Sequence, residues 1–345
     1  MTTTTRALCG LLGAGALLVS AGPASAASAS YVALGDSYSS GTGTRSYLSD
    51  GTSCQRSVYA YPSLIASSKG YALNMRACSG ATTADVASLQ LGALSTGTAY
   101  VTISAGGNDA GFSSVITECA QPAWASDCGA ALDRAAGVID NAVPGRLASL
   151  YASIRTRAPQ AKVVVAGYPR VFNGEDCNAA TWFSPTEESR LNATADLLNS
   201  KLAAAASSAG FAFSNPTTAF TGHAVCDSTE WLNGLSSPTS DSYHPNRLGH
   251  ASAYVPLVGP RLTGSAVTVT SATLQAAAAS ADALAASQRR YAVQDRAITP
   301  KPVVLPDLDS PALRAAAARA GVDLRSRASI DAADRRYEAR QDAAR

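Results

Sequence analysis

Residues 31–43 read YVALGDSYSSGTG, and this stretch decides how the chain folds. The apolar run 31–34 stops abruptly at Gly35, as a buried strand does when it ends in a tight turn. Glycine permits a backbone conformation there that a side chain would forbid. The next side chains then lie at the carboxyl edge of a sheet, where open α/β folds bind ligands. Ser37 is therefore a candidate nucleophile, although a polar turn capped by Asp36 would give the same pattern.

Four further β-rich runs alternate with helix-length segments along the chain. The predicted strands cover 71–76, 99–104, 162–166 and 211–214, and the predicted helices cover 61–68, 83–91, 132–158 and 185–209. Ser184, Pro185 and Glu187 form a helix start with a capping box. A last helix is expected after Asn246. This alternation predicts an α/β protein with a three-layer α/β/α fold, in which helices cover both faces of a parallel sheet.

The two ends of the chain differ from the domain between them, residues 27–265. Residues 1–26 have a basic residue, an apolar run and the sequence Ala24-Ser25-Ala26, which together predict a signal peptide and a secreted, extracellular protein. No later segment predicts stable membrane insertion. Residues 266–345 form an Ala/Arg-rich extension, which we expect to be a helical or disordered appendage. A basic surface that adheres to cell wall or lipid is the alternative.

Cysteine usage and charge narrow the class of protein further. Six cysteines follow the predicted signal peptide, and an even number in an exported chain indicates three disulfides, for which 15 pairings are possible. We favour the sequential pairing, Cys54–Cys78, Cys119–Cys128 and Cys177–Cys226. A zinc site is disfavoured because C-x-x-C spacing and nearby histidines are missing. The formal net charge of +2 gives no electrostatic footprint for nucleic acid.

Two glycine-containing segments follow predicted strands and offer hydrogen-bond donors. Gly106-Gly107-Asn108-Asp109 follows the third strand, and the Asn108 amide can stabilise the oxyanion of a tetrahedral intermediate. A tight turn would also explain this segment. Gly80 comes just before a predicted helix, so its backbone N–H is a second candidate donor. An ordinary helix-entry loop is the alternative for Gly80.

A histidine late in the domain is the candidate base. Asp241 and His244 have D-x-x-H spacing, so the carboxylate can accept the Nδ1 proton while Nε2 takes the proton of Ser37. His223 and His250 are less suitably placed, and a loop histidine without a catalytic role is the alternative for His244. Nucleophile, donors and base are all expected at one edge of the sheet.

These segments together resemble the four sequence blocks of the SGNH (GDSL) hydrolase superfamily, in its secreted bacterial lipase and esterase branch. The resemblance covers about 27–262 and implies a flavodoxin-like parallel sheet of about five strands. It implies an oxyanion hole formed by Ser37, Gly80 and Asn108, no metal and no cofactor. It also supports the sequential disulfides. In some members a backbone carbonyl, rather than a carboxylate such as that of Asp241, orients the histidine.

The expected function is a secreted carboxylic ester hydrolase, a lipase or esterase, that acts through an acyl-enzyme on a small-molecule or lipid ester. We expect a monomer without a nucleic-acid partner. A phospholipase or a polysaccharide deacetylase would use the same chemistry. A non-catalytic module that binds an anion or glycan is the alternative from another class. Trp124, Phe172, Trp182 and Phe183 are candidates for an apolar acyl wall or for core packing.

Overall fold

The central sheet has the predicted five strands, all parallel. The structure, a computed structural model, describes residues 1–4 and 28–343, so most of the predicted signal peptide lies outside the described residues. The strands are β1 (Ser30–Gly35), β2 (Ala72–Met75), β3 (Tyr100–Ser104), β4 (Lys162–Ala166) and β5 (Ala212–Ser214). Their order, β2-β1-β3-β4-β5, is that of flavodoxin-like sheets and confirms the expected fold class.

The described helices lie between the strands and after them. Those of the domain are α1 (Ser37–Ser40), α2 (Tyr61–Lys69), α3 (Thr83–Asp85), α4 (Phe112–Cys119), α5 (Cys128–Asn141), α6 (Val143–Arg157), α7 (Pro185–Ser208) and α8 (Val255–Thr263). Helices α2 and α8 cover one face of the sheet. Helix α7 and the helical turns after Thr83 contact the other face, with α5 and α6 packed along them. The three predicted layers are therefore present.

Two predicted helices have different bounds because of local chemistry. The segment 132–158 was expected as one helix, but the chain forms α5 and α6 with a break at Ala142. Pro144 explains the break, because proline has no N–H to donate and fits only the first turn of a new helix. The segment 83–91 is a single turn of α-helix followed by the π-helical turn Val86–Gln90.

The turn after β1 depends on a glycine, as predicted. Gly35 has φ of +115°, and a Cβ atom there would lie 2.1 Å from the carbonyl oxygen of Ser104 on the neighbouring strand β3. A side chain at this position is therefore excluded by the close approach of two backbones. Strand order reverses beside β1, so β1 and β3 end at the crevice where such folds bind ligands.

The C-terminal extension is helical and packed on the domain. Its helices are α9 (Ser271–Ala279), α10 (Ala281–Arg289), α11 (Ala292–Asp295), α12 (Pro311–Ala320) and α13 (Arg327–Ala343). Helix α9 packs against α2 and α10 against β2, while α12 and α13 pack on the turn Ala123–Ala125. The extension therefore contacts the domain at two separate places. None of the described helices is both long and apolar enough to cross a bilayer.

Three disulfides connect loops of the domain. They join Cys54 to Cys78, Cys119 to Cys128 and Cys177 to Cys226, which is the sequential pairing. Each bridge closes a loop and so restricts the unfolded chain, an effect typically worth about 2–4 kcal/mol. The first holds the segment before α2 against the segment after β2, next to Gly80.

Candidate active site

Ser37 is the first residue of α1, directly after β1, and its turn is held by a buried carboxylate. Asp36 caps α1 by accepting the Tyr38 N–H at 3.1 Å. The same carboxylate accepts the hydroxyl protons of Ser104 at 2.6 Å and Tyr168 at 2.5 Å. Burial raises the pKa of Asp36 to about 6, against the lowering effect of these hydrogen bonds. Asp36 therefore fixes the turn that presents Ser37.

His244 lies next to Ser37 although 207 positions separate them in sequence. Its Nε2 is 2.9 Å from Ser37 Oγ, and its Nδ1 is 2.8 Å from the carbonyl oxygen of Ser242. A carbonyl oxygen can only accept, so Nδ1 must carry the proton of the neutral ring. Nε2 is then the free acceptor that a general base requires.

The environment of His244 keeps its imidazole neutral. The ring is 5.3 Å from the Tyr38 ring and 6.0 Å from the Phe112 ring, measured between centroids. Burial lowers the pKa of His244 to about 4, while the Ser242 carbonyl and the Asp241 charge act in the opposite direction. At neutral pH the ring is consequently in the form that can accept a proton.

The expected bond between Asp241 and His244 is not among those of the described residues, and this prediction needs correction. The Asp241 carboxylate accepts the Tyr47 hydroxyl at 2.5 Å and the Gln55 amide at 3.2 Å. Residues Thr239–Asp241 form a 3₁₀ turn, after which the chain becomes extended at Ser242. This geometry brings the Ser242 carbonyl, instead of the Asp241 carboxylate, to Nδ1. A backbone carbonyl therefore orients the histidine, which is the alternative arrangement that the family resemblance implied.

The three expected oxyanion donors surround the same edge. In the part of the chain that the structure describes, neither the Ser37 N–H nor the Gly80 N–H has a protein acceptor. Asn108 donates one amide hydrogen to the Ala81 carbonyl at 3.0 Å, which orients the group and leaves its second hydrogen free. Ser37, Gly80 and Asn108 also line one cavity together with His244. Such an arrangement can stabilise negative charge on a carbonyl oxygen.

A larger apolar cavity also opens at Ser37. The space between its walls is about 730 Å³ when the open solvent at its mouth is included, and its lining includes Ser37 and Asn108. The remaining wall is mostly apolar and comes from α4, α5, α7 and the segment after β4: Phe112, Val115, Ile116, Ala135, Ile139, Val171, Phe172, Leu191 and Leu198. Of the four aromatic residues considered above, Phe172 lines this cavity, whereas Trp124, Trp182 and Phe183 are not part of its lining, and Trp182 and Phe183 are buried.

Sequence reasoning missed the residues that support His244. Asn233 donates its side-chain amide to the carbonyl of Gly43 at 2.9 Å and to that of Asp241 at 3.2 Å. Its backbone N–H donates to the His244 carbonyl at 2.9 Å. Tyr38 donates its hydroxyl to the Tyr243 carbonyl at 2.8 Å. The position of Tyr38 beside Ser37 was a possible signal, whereas an isolated asparagine such as Asn233 gives none.

The described residues contain one group with possible metal ligands, Cys177, Cys226 and Glu230. The two cysteine sulfurs form a disulfide, so they are not free thiolates and the group does not fit a metal.

A parallel sheet that carries a serine, a neutral histidine and free hydrogen-bond donors at one edge is the arrangement of a serine hydrolase of the α/β/α type. The profile of the GDSL-like Lipase/Acylhydrolase family matches residues 33–252, and the chain belongs to this family. It is a carboxylic ester hydrolase.

Relatives in Streptomyces are similar over most of the chain. Lipase 1 of Streptomyces coelicolor is 42% identical over 255 residues, which are 72% of this chain and 94% of the relative. The extracellular lipase of Streptomyces rimosus has a crystal structure that superposes with a TM-score of 0.64 at 41% identity, covering 68% of this chain and 100% of that one. Phospholipase A1 of Streptomyces albidoflavus has a TM-score of 0.65 at 40% identity with the same coverage.

Proposed function

We propose that this protein is a secreted lipase in which Ser37 is the nucleophile and His244 its general base. The observation that carries the proposal is the 2.9 Å contact between His244 Nε2 and Ser37 Oγ beside an apolar cavity. A short contact alone would fit any serine hydrolase. The mostly apolar wall of this cavity favours a fatty acyl chain over an acetyl group, and so favours a lipid ester over an acetylated polysaccharide.

The reaction has two acyl-transfer steps. His244 Nε2 takes the proton of Ser37 Oγ while this oxygen attacks the ester carbonyl carbon. The tetrahedral oxyanion is stabilised by the N–H groups of Ser37 and Gly80 and by the Asn108 amide. His244 then gives its proton to the departing alcohol oxygen, which leaves an acyl-enzyme. Water, deprotonated by the same nitrogen, releases the acid and restores Ser37.

The Ser242 carbonyl takes the orienting role in this proposal. It keeps the proton of the neutral ring on Nδ1 and stabilises the imidazolium that forms when Nε2 accepts a second proton. Asp241 supports the loop through Tyr47 and Gln55 rather than contacting the ring.

A phospholipase is the second candidate, because the phospholipase A1 of Streptomyces albidoflavus is about as similar as the lipases are. Both activities cleave a fatty acyl ester, and the difference lies in the alcohol. Hydrolysis rates on triacylglycerol and on phosphatidylcholine of the same acyl chain would distinguish them.

Substitution of the two reacting residues tests the proposal. We expect Ser37→Ala and His244→Ala each to lower kcat by roughly 10⁴-fold or more. Ser88→Ala, at an exposed serine, and His223→Ala, at a half-buried histidine stacked on Trp231, serve as matched controls and should keep the parent rate. Thermal unfolding confirms that each variant is folded. Labelling by a serine-reactive phosphonate should disappear in Ser37→Ala and become slow in His244→Ala, which lacks the base that activates the serine. Turnover near the parent rate in either active-site variant would refute these roles.

Export and assembly complete the proposal. The features of residues 1–26 and the extracellular location stated for the Streptomyces rimosus lipase support secretion with cleavage before Ala27. Amino-terminal sequencing of protein from the culture medium tests this. One chain supplies Ser37, His244 and all three donors, so the mechanism requires no second copy, and sedimentation would measure whether the enzyme is a monomer.

A further inference from the structure

The alcohol part of the ester must lie beside His244, because Nε2 protonates the oxygen that leaves. A second cavity, about 360 Å³ when the open solvent at its mouth is included, is lined by Ser37, His244 and Gly80. The larger apolar cavity shares Ser37 with it, but its lining does not include His244 or Gly80. The larger cavity therefore suits the acyl chain, and the smaller one suits the alcohol.

Part of the wall of this alcohol cavity comes from the C-terminal extension. Residues 299–303, here called the strap, contribute Pro300, Lys301, Pro302 and Val303 to the lining. The matched family region ends at residue 252, well before the strap. In addition, 68% of this chain accounts for the entire Streptomyces rimosus lipase structure. The strap is therefore an addition to the matched family domain.

The strap lies directly against a proposed oxyanion donor. A Cβ atom at Gly80 would be 2.7 Å from Pro300 Cα and 3.0 Å from the Thr299 carbonyl oxygen. Gly80 also has φ of +86°, a conformation that favours glycine. The backbone of the strap thus contacts the residue whose N–H faces the substrate carbonyl in the proposed mechanism.

Both ends of the strap are fixed to the domain. Before it, Asp295 forms buried ion pairs with Arg56 at 2.8 Å and Arg76 at 2.7 Å. After it, the Val304 N–H donates to Thr117 Oγ1 at 3.0 Å, and the Val303 side chain is buried. Pro300 and Pro302 have φ fixed by their rings. The strap consequently behaves as a stiff wall and not as a hinged lid.

We propose that the strap determines which alcohols the enzyme can release, by limiting the size of the alcohol group that fits between Gly80, His244 and residues 300–303. This inference rests on the proposed function, since it assumes that His244 protonates the leaving alcohol. Esters with small alcohols fit the cavity as it stands, whereas bulky alcohols meet the strap.

Two strap variants change the wall in opposite directions. Lys301→Gly combined with Pro302→Gly removes side chains and widens the cavity, and Lys301→Trp narrows it. Leu305→Gly combined with Pro306→Gly is the matched control, because it makes two comparable changes directly after the strap and outside the cavity lining. The substrates are butyrate esters of methanol, butanol and octanol, together with methyl esters of acids of increasing length.

The expected result is a change in alcohol preference alone. The ratio of kcat/KM for octyl butyrate to that for methyl butyrate should rise roughly tenfold in the widened variant, since one methylene in a pocket is worth about 10-fold or more. It should fall in Lys301→Trp and stay at the parent value in the control. Preference among the methyl esters of different acids should not change in any of them.

Two results would overturn the inference. One is a ratio of kcat/KM for octyl butyrate to methyl butyrate that stays within about twofold of the parent in Lys301→Trp. This variant keeps the strap backbone, so its result is decisive even where the glycine variant fails to fold. The other is an equal change in the alcohol and acyl series. In both cases loss of activity in Ser37→Ala would show that the proposed function still holds, whereas an active Ser37→Ala would refute the proposed function itself.

Discussion

Replacement of Asp241 by asparagine separates two ways of orienting the catalytic histidine. In a carboxylate triad, the charged group holds the Nδ1 proton, and its conversion to an amide lowers kcat by about 10⁴-fold through the wrong tautomer. In this structure Nδ1 faces the Ser242 carbonyl at 2.8 Å, and Asp241 contacts Tyr47 and Gln55. The amide of Asp241→Asn keeps an oxygen that can accept the Tyr47 hydroxyl. The orientation of the ring should therefore survive the substitution.

The remaining effect of Asp241 on His244 is the attraction between a carboxylate and the imidazolium that forms during the reaction. This attraction raises the pKa of His244, although burial and the Ser242 carbonyl have larger effects. We expect its loss to lower kcat/KM by no more than about tenfold, which corresponds to about 1.4 kcal/mol. The acid limb of the pH–rate profile should move to lower pH, because the pKa of His244 falls when the negative charge is removed.

The assay is hydrolysis of a chromogenic butyrate ester across the pH range in which each variant remains folded. The exposed Asp282→Asn in α10 controls for the loss of one negative charge and should leave the profile unchanged. A loss of about 10³-fold or more in Asp241→Asn at unchanged thermal stability would refute the role of the Ser242 carbonyl.

Two further predictions concern protonation and stability. Burial holds the pKa of His244 at about 4. The value of kcat/KM should therefore stay level from neutral pH down to about 5, and it should fall as the ring is protonated at about pH 4. An acid limb centred near pH 6.5 would contradict the burial of this ring. Asp295→Asn should lower the free energy of unfolding by about 3–5 kcal/mol, because it leaves the guanidinium groups of Arg56 and Arg76 short of a buried counter-charge. Denaturant unfolding measures this free energy. The control is the exposed ion pair of Asp309 with Arg314, and its loss in Asp309→Asn should cost at most about 1 kcal/mol. Equal midpoints for the two variants would contradict the second prediction.

The sheet could be predicted from the sequence because its signals are local. The run at 162–166 is β-branched and buried as β4, and Gly35 marks the turn after β1 by its chemistry alone. The break between α5 and α6 also has a local cause, Pro144. It was missed because the apolar pattern continues on both sides of this proline. Patterns of this kind depend on neighbouring residues and need no knowledge of distant contacts.

The orientation of His244 was not predictable in the same way. D-x-x-H spacing allows either the Asp241 carboxylate or a backbone carbonyl to reach Nδ1, and the choice depends on the dihedral angles between them. Ser242 has ψ of 141°, which turns its own carbonyl toward the ring. Asn233 supports this loop from another segment, and a single asparagine carries no pattern that would reveal such a contact.

The extension was hardest to interpret because part of its attachment is electrostatic and depends on two buried arginines of the domain. Its apolar stripe is thin, and the sequence therefore allowed a disordered tail. Arg56 and Arg76 are fully buried in the domain, and Asp295 of the extension neutralises both. In a chain that ends at residue 265, Arg56 would keep Asp50 as its remaining partner, but Arg76 would have no ion pair among the described residues. An isolated buried charge is costly. We expect the truncated chain to unfold at a lower denaturant concentration than the full chain. The decrease in the midpoint should be at least as large as that caused by Asp295→Asn. Equal stability of the two chains would show that water can solvate both guanidinium groups once the extension is gone.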